Sequence, residues 1–182
     1  MIIIRCTAKV LKELGVSRSQ IKDYPDQPGP LQEWYANLFY RNRKKCLIFT
    51  NTDSLFSFIV PYVYRKDIKN ILELFRKGLS KALFYETFDA EQIKKIMSLA
   101  DDVIIAKTNN RSVLGSMNEL VFQCQVYLDM HEDEGEKGLI LASHKLNETP
   151  MRGVKEEGFN FGIPINCLKE ILTAFSANTR LT

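Results

Sequence analysis

The stretch KTNNRSVLGSMNELVFQ, residues Lys107 to Gln123, decides how the rest of the chain is interpreted. It begins at the end of an apolar segment, Val103–Lys107, that predicts a strand, and it passes through a polar turn into a helical pattern. Apolar residues recur there at three- and four-residue steps, which is typical of a helix with one buried face. They are Val113, Leu114, Met117, Leu120, Val121, Cys124 and Leu128. The stretch therefore predicts a central helix from Ser112 to about Met130.

Several hydrogen-bond donors stand where this helix begins. They are Lys107, Asn109, Asn110, Arg111 and Ser112. The first turn of a helix has backbone N–H groups without partners and a partial positive charge, so it can bind an anion. Arg111 would supply a charge-assisted hydrogen bond to a phosphate or carboxylate. We therefore predict an anion site formed by these residues.

The same turn also has a purely structural interpretation. Asparagine is common in turns and at helix caps, and Asn110 or Ser112 could simply cap the helix. Arg111 could pair with a carboxylate of its own chain. The glycine pattern and following lysine of a P-loop are missing. Gly115, inside the helix, costs about 1 kcal/mol relative to alanine. It favours close packing of another backbone there over the alternative, the close approach of a ligand.

The composition is that of an ordinary globular protein. The chain has 182 residues, of which 45% are hydrophobic and 26% charged, and we expect one domain over residues 1–182. No apolar run approaches the roughly 20 residues of a membrane span. The start, MIIIRCTAKV, lacks the pattern of a signal peptide. We therefore expect a cytoplasmic protein that does not associate with membranes.

The cysteines and histidines do not have the spacing of a metal site. The cysteines are Cys6, Cys46, Cys124 and Cys167. They are far apart in sequence, and His131 and His144 do not form a ligand pair. Buried, reduced thiols are the expectation, and the sequence predicts neither a metal nor a cofactor.

An apolar hairpin is predicted over Glu33–Tyr40 and Lys45–Thr50. Both of its faces are largely apolar, so it should be central and covered on both sides. Ser54–Val60 is expected to form a short helix, because candidate caps precede it. The fold class predicted is α+β: a small, mostly antiparallel sheet with a central hairpin, packed by helices, and a mainly helical C-terminal half.

The hairpin tip is a candidate nucleic-acid surface. Its basic residues are Arg41, Arg43, Lys44 and Lys45, and its aromatic neighbours are Tyr35, Phe39 and Tyr40. Such interleaving can bind single-stranded nucleic acid, and the first 88 residues carry 15 basic against 8 acidic side chains. However, cations at hairpin tips also protect solubility, and a pI near 8.6 is only mildly basic. Nucleic acid and small anions are therefore the partners to consider.

Two classes of function remain open. The first is a binding or interaction module without catalysis, with its anion site at the start of the helix after Lys107. The alternative is a phosphate-directed enzyme, a nuclease or phosphohydrolase, in which Arg111 and Lys107 stabilise negative charge and Asp53 or His144 acts as a base. Asp101 and Asp102 are weaker acid–base candidates, and no triad or paired-carboxylate spacing links any of them. The enzyme requires one of its bases to share a cleft with Arg111.

Three stretches resemble a known family. They are EWYANLFYRNRKKCLIFTNTDSLFSFIV (Glu33–Val60), KTNNRSVLGSMNEL (Lys107–Leu120) and LNETPM (Leu146–Met151). The strings W-Y-A-N-L, K-C-L-I-F-T-N and R-S-V-L-G-S-M-N carry the likeness, together with the opening IIRCTAKVLKELG. They resemble an uncharacterised family of small bacterial proteins, a domain of unknown function. The resemblance implies a bacterial cytoplasmic protein and one complete domain, and it implies no activity.

Overall fold

The computed structural model describes residues 1–17, 19, 21, 28–131, 135–154 and 160–179, with only the backbone for residues 175–179. Within these residues the chain forms five β-strands and seven α-helices. The strands are β1 (Ile2–Cys6), β2 (Glu33–Arg41), β3 (Lys44–Asn51), β4 (Ser57–Val60) and β5 (Val103–Lys107). The helices are α1 (Ala8–Leu14), α2 (Arg65–Ile68), α3 (Ile71–Tyr85), α4 (Ala90–Leu99), α5 (Arg111–Met130), α6 (Glu136–Asn147) and α7 (Pro164–Thr179).

The strands form one mixed sheet in the order β4-β3-β2-β1-β5. The predicted α+β class and the β2–β3 hairpin are confirmed, but the expectation of a mostly antiparallel sheet is wrong. Strands β2, β3 and β4 pair antiparallel, whereas β1 lies parallel to both of its neighbours, β2 and β5. Parallel partners are joined through long crossovers. Their pairing leaves no short-range signal in the sequence. The expectation of a mostly antiparallel sheet therefore rested on the hairpin alone.

The segment Ser54–Val60 was expected to be a short helix, and the structure corrects this. Its second half is the edge strand β4, which pairs with β3. Phe58 and Ile59 point to opposite faces, and both are buried. Aromatic and β-branched residues fit such a pleated, covered surface better than a short helix. Asn51 does act as a cap, but of the β3–β4 turn, where its Oδ1 accepts the backbone N–H of Ser54 at 3.1 Å.

Hydrophobic layers cover both faces of the sheet, as the two apolar faces of the hairpin predict. On one face, residues of α1, α3 and α7 pack around an aromatic cluster. Its rings are Trp34, Phe49, Phe58 and Phe75. On the other face, α5 and α6 pack against Tyr35, Phe39 and Ile48. This layering places α1 and α5 on opposite sides of the sheet.

Helix α5 buries the stripe that its periodicity predicts. Its buried residues are Val113, Met117, Leu120, Cys124 and Leu128. Leu114 and Val121, at the margins of the stripe, are half-buried and pack against the same cluster. No helix among the described residues combines the length and the apolar character that crossing a membrane requires.

All four cysteines are buried thiols, as expected. Burial raises the pKa of the Cys6 thiol far above its ordinary value, because the apolar surroundings disfavour the thiolate. The cysteines are therefore small apolar core residues in this fold.

Candidate functional site

The predicted site lies beyond the carboxyl ends of two neighbouring parallel strands, β1 and β5. Strand β1 leads into α1 on one face of the sheet, and β5 leads into α5 on the opposite face. Adjacent parallel strands whose connections leave on opposite faces open a crevice at their carboxyl ends, and ligands of open α/β sheets bind in such crevices. The turn that carries the predicted residues therefore borders a position suited to ligand binding.

A buried tyrosine from the hairpin holds this turn. The hydroxyl oxygen of Tyr35 accepts the backbone N–H of Asn109 at 3.2 Å and that of Asn110 at 2.8 Å. The same hydroxyl donates to Oδ1 of Asn109 at 2.6 Å. The Tyr35 side chain is fully buried. One rigid core residue therefore fixes the backbone of the turn that precedes α5.

Asn110 is the N-cap of α5, as one of the two interpretations of the turn expected. Its Oδ1 accepts the N–H groups of Ser112 at 2.9 Å and Val113 at 3.3 Å. These are two of the donors that an anion at the helix start would otherwise use. A ligand here would consequently depend on side chains more than on backbone N–H groups.

Arg111 and Ser112 are exposed at the start of α5. Within the part of the chain that the structure describes, the side chain of Arg111 makes no hydrogen bond and no ion pair. The described residues therefore include no carboxylate that pairs with Arg111, which was the alternative for this residue. Lys107 is half-buried at the end of β5.

A second cation, which the sequence pattern did not single out, lies beneath the turn. Arg5 in β1 is only 4% exposed, and its Nη1 donates to the carbonyl oxygen of Lys107 at 2.9 Å. Its Nε is paired with the carboxylate of Glu33. Because the partners are 28 residues apart in sequence, nothing local signals the pair. Glu33 balances the charge of Arg5. Arg5 therefore holds the backbone of the turn in place and adds little positive potential to the candidate site.

Gly115 does not have the close neighbour that was expected. A Cβ atom at this position would meet no described atom within 4 Å. Gly115 lies one turn after Arg111 on the exposed side of α5. The absence of a side chain leaves room beside Arg111 and is not required by packing against the described residues.

Three of the four basic residues of the hairpin tip have intramolecular partners, and the fourth, Arg43, is exposed. Arg41 pairs with Asp129 at 2.6 Å, Lys45 pairs with Glu13 at 2.8 Å, and Lys44 lies 4.4 Å above the ring of Tyr62. Arg43 sits in the turn with a φ of 62°. Of the three aromatics considered for stacking, Tyr35 and Phe39 are buried, and Tyr40 is 52% exposed. Of the residues that the sequence singled out, one ring is therefore exposed, and three of the four cations already have partners.

The two bases considered for an enzyme do not join Arg111. Asp53 follows β3, and its Oδ2 accepts the N–H of Leu31 at 3.2 Å. It lies near the amino end of β2, whereas Arg111 follows the carboxyl end of β5, at the opposite end of the parallel strands. Partial burial, together with the charge of Glu33, raises the pKa of Asp53 above its ordinary value despite the lowering effect of the Leu31 N–H.

His144 lies in a separate cleft between α3, α6 and β4, where its Nδ1 is 2.9 Å from Oε2 of Glu86. The residues that line this cleft include none of the predicted anion-site residues. Asp101 pairs with Arg76 at 3.0 Å, and Asp102 is exposed next to β5. Among the described residues, no three His, Cys, Asp or Glu side chains are grouped so that they could hold a metal ion. No described observation thus favours the phosphate-directed enzyme.

Comparison with known families gives one match. A family model described as Domain of unknown function (DUF6933) matches residues 3–165, which include all of the sheet except Ile2, the β5–α5 turn and the cleft of His144. No curated protein matches the chain.

Proposed function

Because this chain belongs to the DUF6933 family, a domain of unknown function, we propose its function from the site itself: a bacterial cytoplasmic module that binds a phosphate-bearing ligand at the start of α5. It acts by binding and not by catalysis. The ligand is a small anion or the phosphate backbone of a nucleic acid. Both kinds of ligand present a negatively charged phosphate or similar group to the site, and the binding experiment distinguishes between them.

The observation that carries the proposal is that the Arg111 side chain is available to bind a ligand. It is exposed, it has no partner among the described residues, and it follows a turn that is bonded to the buried Tyr35. A cation on a preorganised backbone loses little conformational freedom when it binds, so more of its interaction energy appears as affinity. The planar guanidinium group also matches the geometry of phosphate oxygens.

The other residues of the turn have different roles in this proposal. The Ser112 hydroxyl and the guanidinium of Arg111 contact the anion, and Lys107 adds positive charge at the end of β5. Asn110 positions the helix start through its cap, with its Oδ1 2.9 Å from the Ser112 nitrogen. Asn109 uses its Oδ1 to bind Tyr35, which leaves its side-chain NH₂ group to donate to a ligand.

Gly115 supports the same proposal. A glycine inside a helix costs about 1 kcal/mol relative to alanine, and no described neighbour at Gly115 requires the small residue. The open space one turn from Arg111 allows a ligand or partner to approach the helix closely. The helix dipole adds favourable potential for an anion at this end of α5.

Differential scanning fluorimetry and calorimetry test the proposal, with inorganic phosphate, a mononucleotide and a short single-stranded oligonucleotide as probes. A ligand at 100 times its Kd should stabilise the fold by about 2.7 kcal/mol. Arg111→Ala should remove the stabilisation, whereas Lys94→Ala, an exposed cation on α4, should keep it. Binding of the oligonucleotide alone would assign the site to nucleic acid. The proposal fails if no probe binds, or if Arg111→Ala binds as the wild type does.

A further inference from the structure

A cleft of about 670 Å³ opens between α3, α6 and the edge strand β4. This volume lies in the range of small-molecule sites. Much of its surface is apolar, with walls formed by Ile59, Val60, Pro61, Leu74, Met97 and Ile140. It shares no residue with the proposed anion site at the start of α5.

The fold builds this cleft by two specific devices. Gly78 lets α3 lie directly on the sheet, because a Cβ there would be 2.6 Å from the ring of Phe58. Asn147 closes one end of the cleft. Its Oδ1 accepts the backbone N–H of Ser57 at 2.8 Å, and its Nδ2 donates to the carbonyl oxygen of Ser57 at 2.9 Å. The amide thus takes the place of a neighbouring strand at Ser57. Beyond it, β4 has no strand partner on this side, because it ends the sheet.

The closed end of the cleft is polar, and its polar side chains hydrogen-bond to one another. The carboxylate of Glu86 is buried and bonds Nδ1 of His144 at 2.9 Å and Nδ2 of Asn147 at 3.0 Å. Each of its oxygens therefore has a partner from the chain itself. Glu86 thus needs no ligand cation, and its main effect is to orient His144 and Asn147 at the end of an apolar space.

Most of the charged side chains that line the cleft lie on α3. Three cations of this helix line the cleft: Arg76, Lys77 and Lys81. Arg76 bonds the carbonyl oxygen of Ala100 and the carboxylate of Asp101, and Lys77 pairs with Glu73. Lys81 is exposed and, among the described residues, has no hydrogen-bond or ion-pair partner. The unmatched charge on this wall is therefore positive. Glu136 at the start of α6 also lines the cleft and is exposed. Unlike Lys81, however, Glu136 is not among the residues at the mouth of the cleft, which are Ser80, Lys81, Phe84, Tyr85, Ile93 and Ile140.

The apolar surface continues past Lys81 to the outside. A second cavity of about 430 Å³ shares Lys81, Tyr85 and Ile140 with the cleft and adds Phe84. Phe84 is 75% exposed and Tyr85 57% exposed. Contiguous exposed apolar surface of this kind marks binding surfaces. Lys81 thus stands between an apolar interior and an aromatic mouth.

We propose that this cleft is a second ligand site, for a small organic acid with an elongated apolar body. The apolar body lies against β4, α3 and Ile140, and the acid group stays at the mouth beside Lys81. An amphipathic anion can pack its apolar body against the walls and pair its acid group with Lys81. A simple hydrocarbon has no group that pairs with Lys81, and a cationic amphiphile would be repelled by it.

Fluorescence of anilinonaphthalene sulfonate, an apolar dye with one acid group, tests the site in the native protein. The dye should bind at one saturable site and be displaced by decanoate at a concentration up to about fivefold lower than by uncharged decanol, since an exposed ion pair contributes up to about 1 kcal/mol, a factor of about five. Decyltrimethylammonium should displace it least. Equal displacement by decanoate and decanol would contradict the role of Lys81, and the absence of native-state binding would overturn the site.

Matched variants locate the dye. Ile140→Trp should fill the cleft and abolish binding, whereas Leu141→Trp, an exposed neighbour on α6 that does not line the cleft, should not. Lys81→Glu should weaken decanoate about fivefold and leave decanol unchanged, while Lys94→Glu should affect neither. If the two tryptophan variants behave alike, or if Arg111→Ala releases the dye, the proposal is wrong. Circular dichroism of each variant verifies that it is folded.

Discussion

The hydroxyl of Tyr35 donates a hydrogen bond to Oδ1 of Asn109 at 2.6 Å and accepts the backbone N–H of the same residue at 3.2 Å. The two residues are 74 positions apart in sequence. A single hydroxyl from the central hairpin thus connects the core to the turn before α5. Polar groups that are buried pay a desolvation cost unless they are bonded. The buried Tyr35 hydroxyl depends on this contact for that reason, whereas Asn109 is itself exposed.

Tyr35→Phe should therefore destabilise the protein by about 1–3 kcal/mol, because the variant keeps the ring but leaves polar groups of the turn without their partner. Urea unfolding followed by tryptophan fluorescence measures the change. Tyr40→Phe is the matched control, since Tyr40 lies in the same strand with its side chain exposed. Equal stability of the two variants would show that the Tyr35 hydroxyl does not support the turn.

Two helical glycines should respond to alanine with opposite signs. At Gly115 a Cβ has open space, so Gly115→Ala should stabilise by up to about 1 kcal/mol through helix propensity. At Gly78 a Cβ would be 2.6 Å from the Phe58 ring and 2.9 Å from Val60 Cγ2, so Gly78→Ala should destabilise by about 1–3 kcal/mol. Thermal unfolding of both variants gives the comparison. A destabilised Gly115→Ala variant would indicate a neighbour at that position that the described residues do not include.

The buried thiols predict a simple chemical result. All four cysteines are buried, and the pKa of Cys6 is raised by burial, so the reactive thiolate is scarce. Native protein should therefore react very slowly with Ellman's reagent at pH 8, and all four thiols should react at once in denaturant. Rapid reaction of one cysteine in the native state would reveal local opening around that residue.

Local signals in the sequence predicted local structure well. The strand Val103–Lys107 has the predicted bounds, and α5 begins one residue before the predicted Ser112. The cap of α5 could be foreseen because Asn110 bonds residues only two and three positions away. The β2–β3 hairpin could be foreseen because its strands are joined by a two-residue turn.

Contacts between distant segments could not be predicted in this way. The parallel pairing of β1 with β5 joins residues about a hundred positions apart, and no pattern within either strand specifies the partner. Ser54–Val60 was misinterpreted because its strand, Ser57–Val60, has three buried residues and one half-buried residue on two covered faces, and such a short run has no distinguishing period. The support of the candidate turn by Tyr35, and of its backbone by Arg5, depends on that same long-range pairing.

Comparing Arg111 with Leu120 tests whether the start of α5 is a binding surface or a scaffold. Leu120 is fully buried between α5 and the sheet, so Leu120→Ala should cost about 2–5 kcal/mol. Arg111 is exposed and unpaired among the described residues, and Arg111→Ala should cost less than about 1 kcal/mol, as for other exposed charges. Urea denaturation measures both free energies of unfolding.

A large loss for Arg111→Ala would be the decisive contrary result. Removing one partner of a buried ion pair costs about 3–5 kcal/mol, because the remaining charge loses its compensation. A loss of that size would mean that Arg111 pairs with a carboxylate of its own chain in solution, and the turn would then be scaffold. A small loss, combined with the loss of phosphate-dependent stabilisation, identifies Arg111 as a residue kept for a ligand and not for the fold.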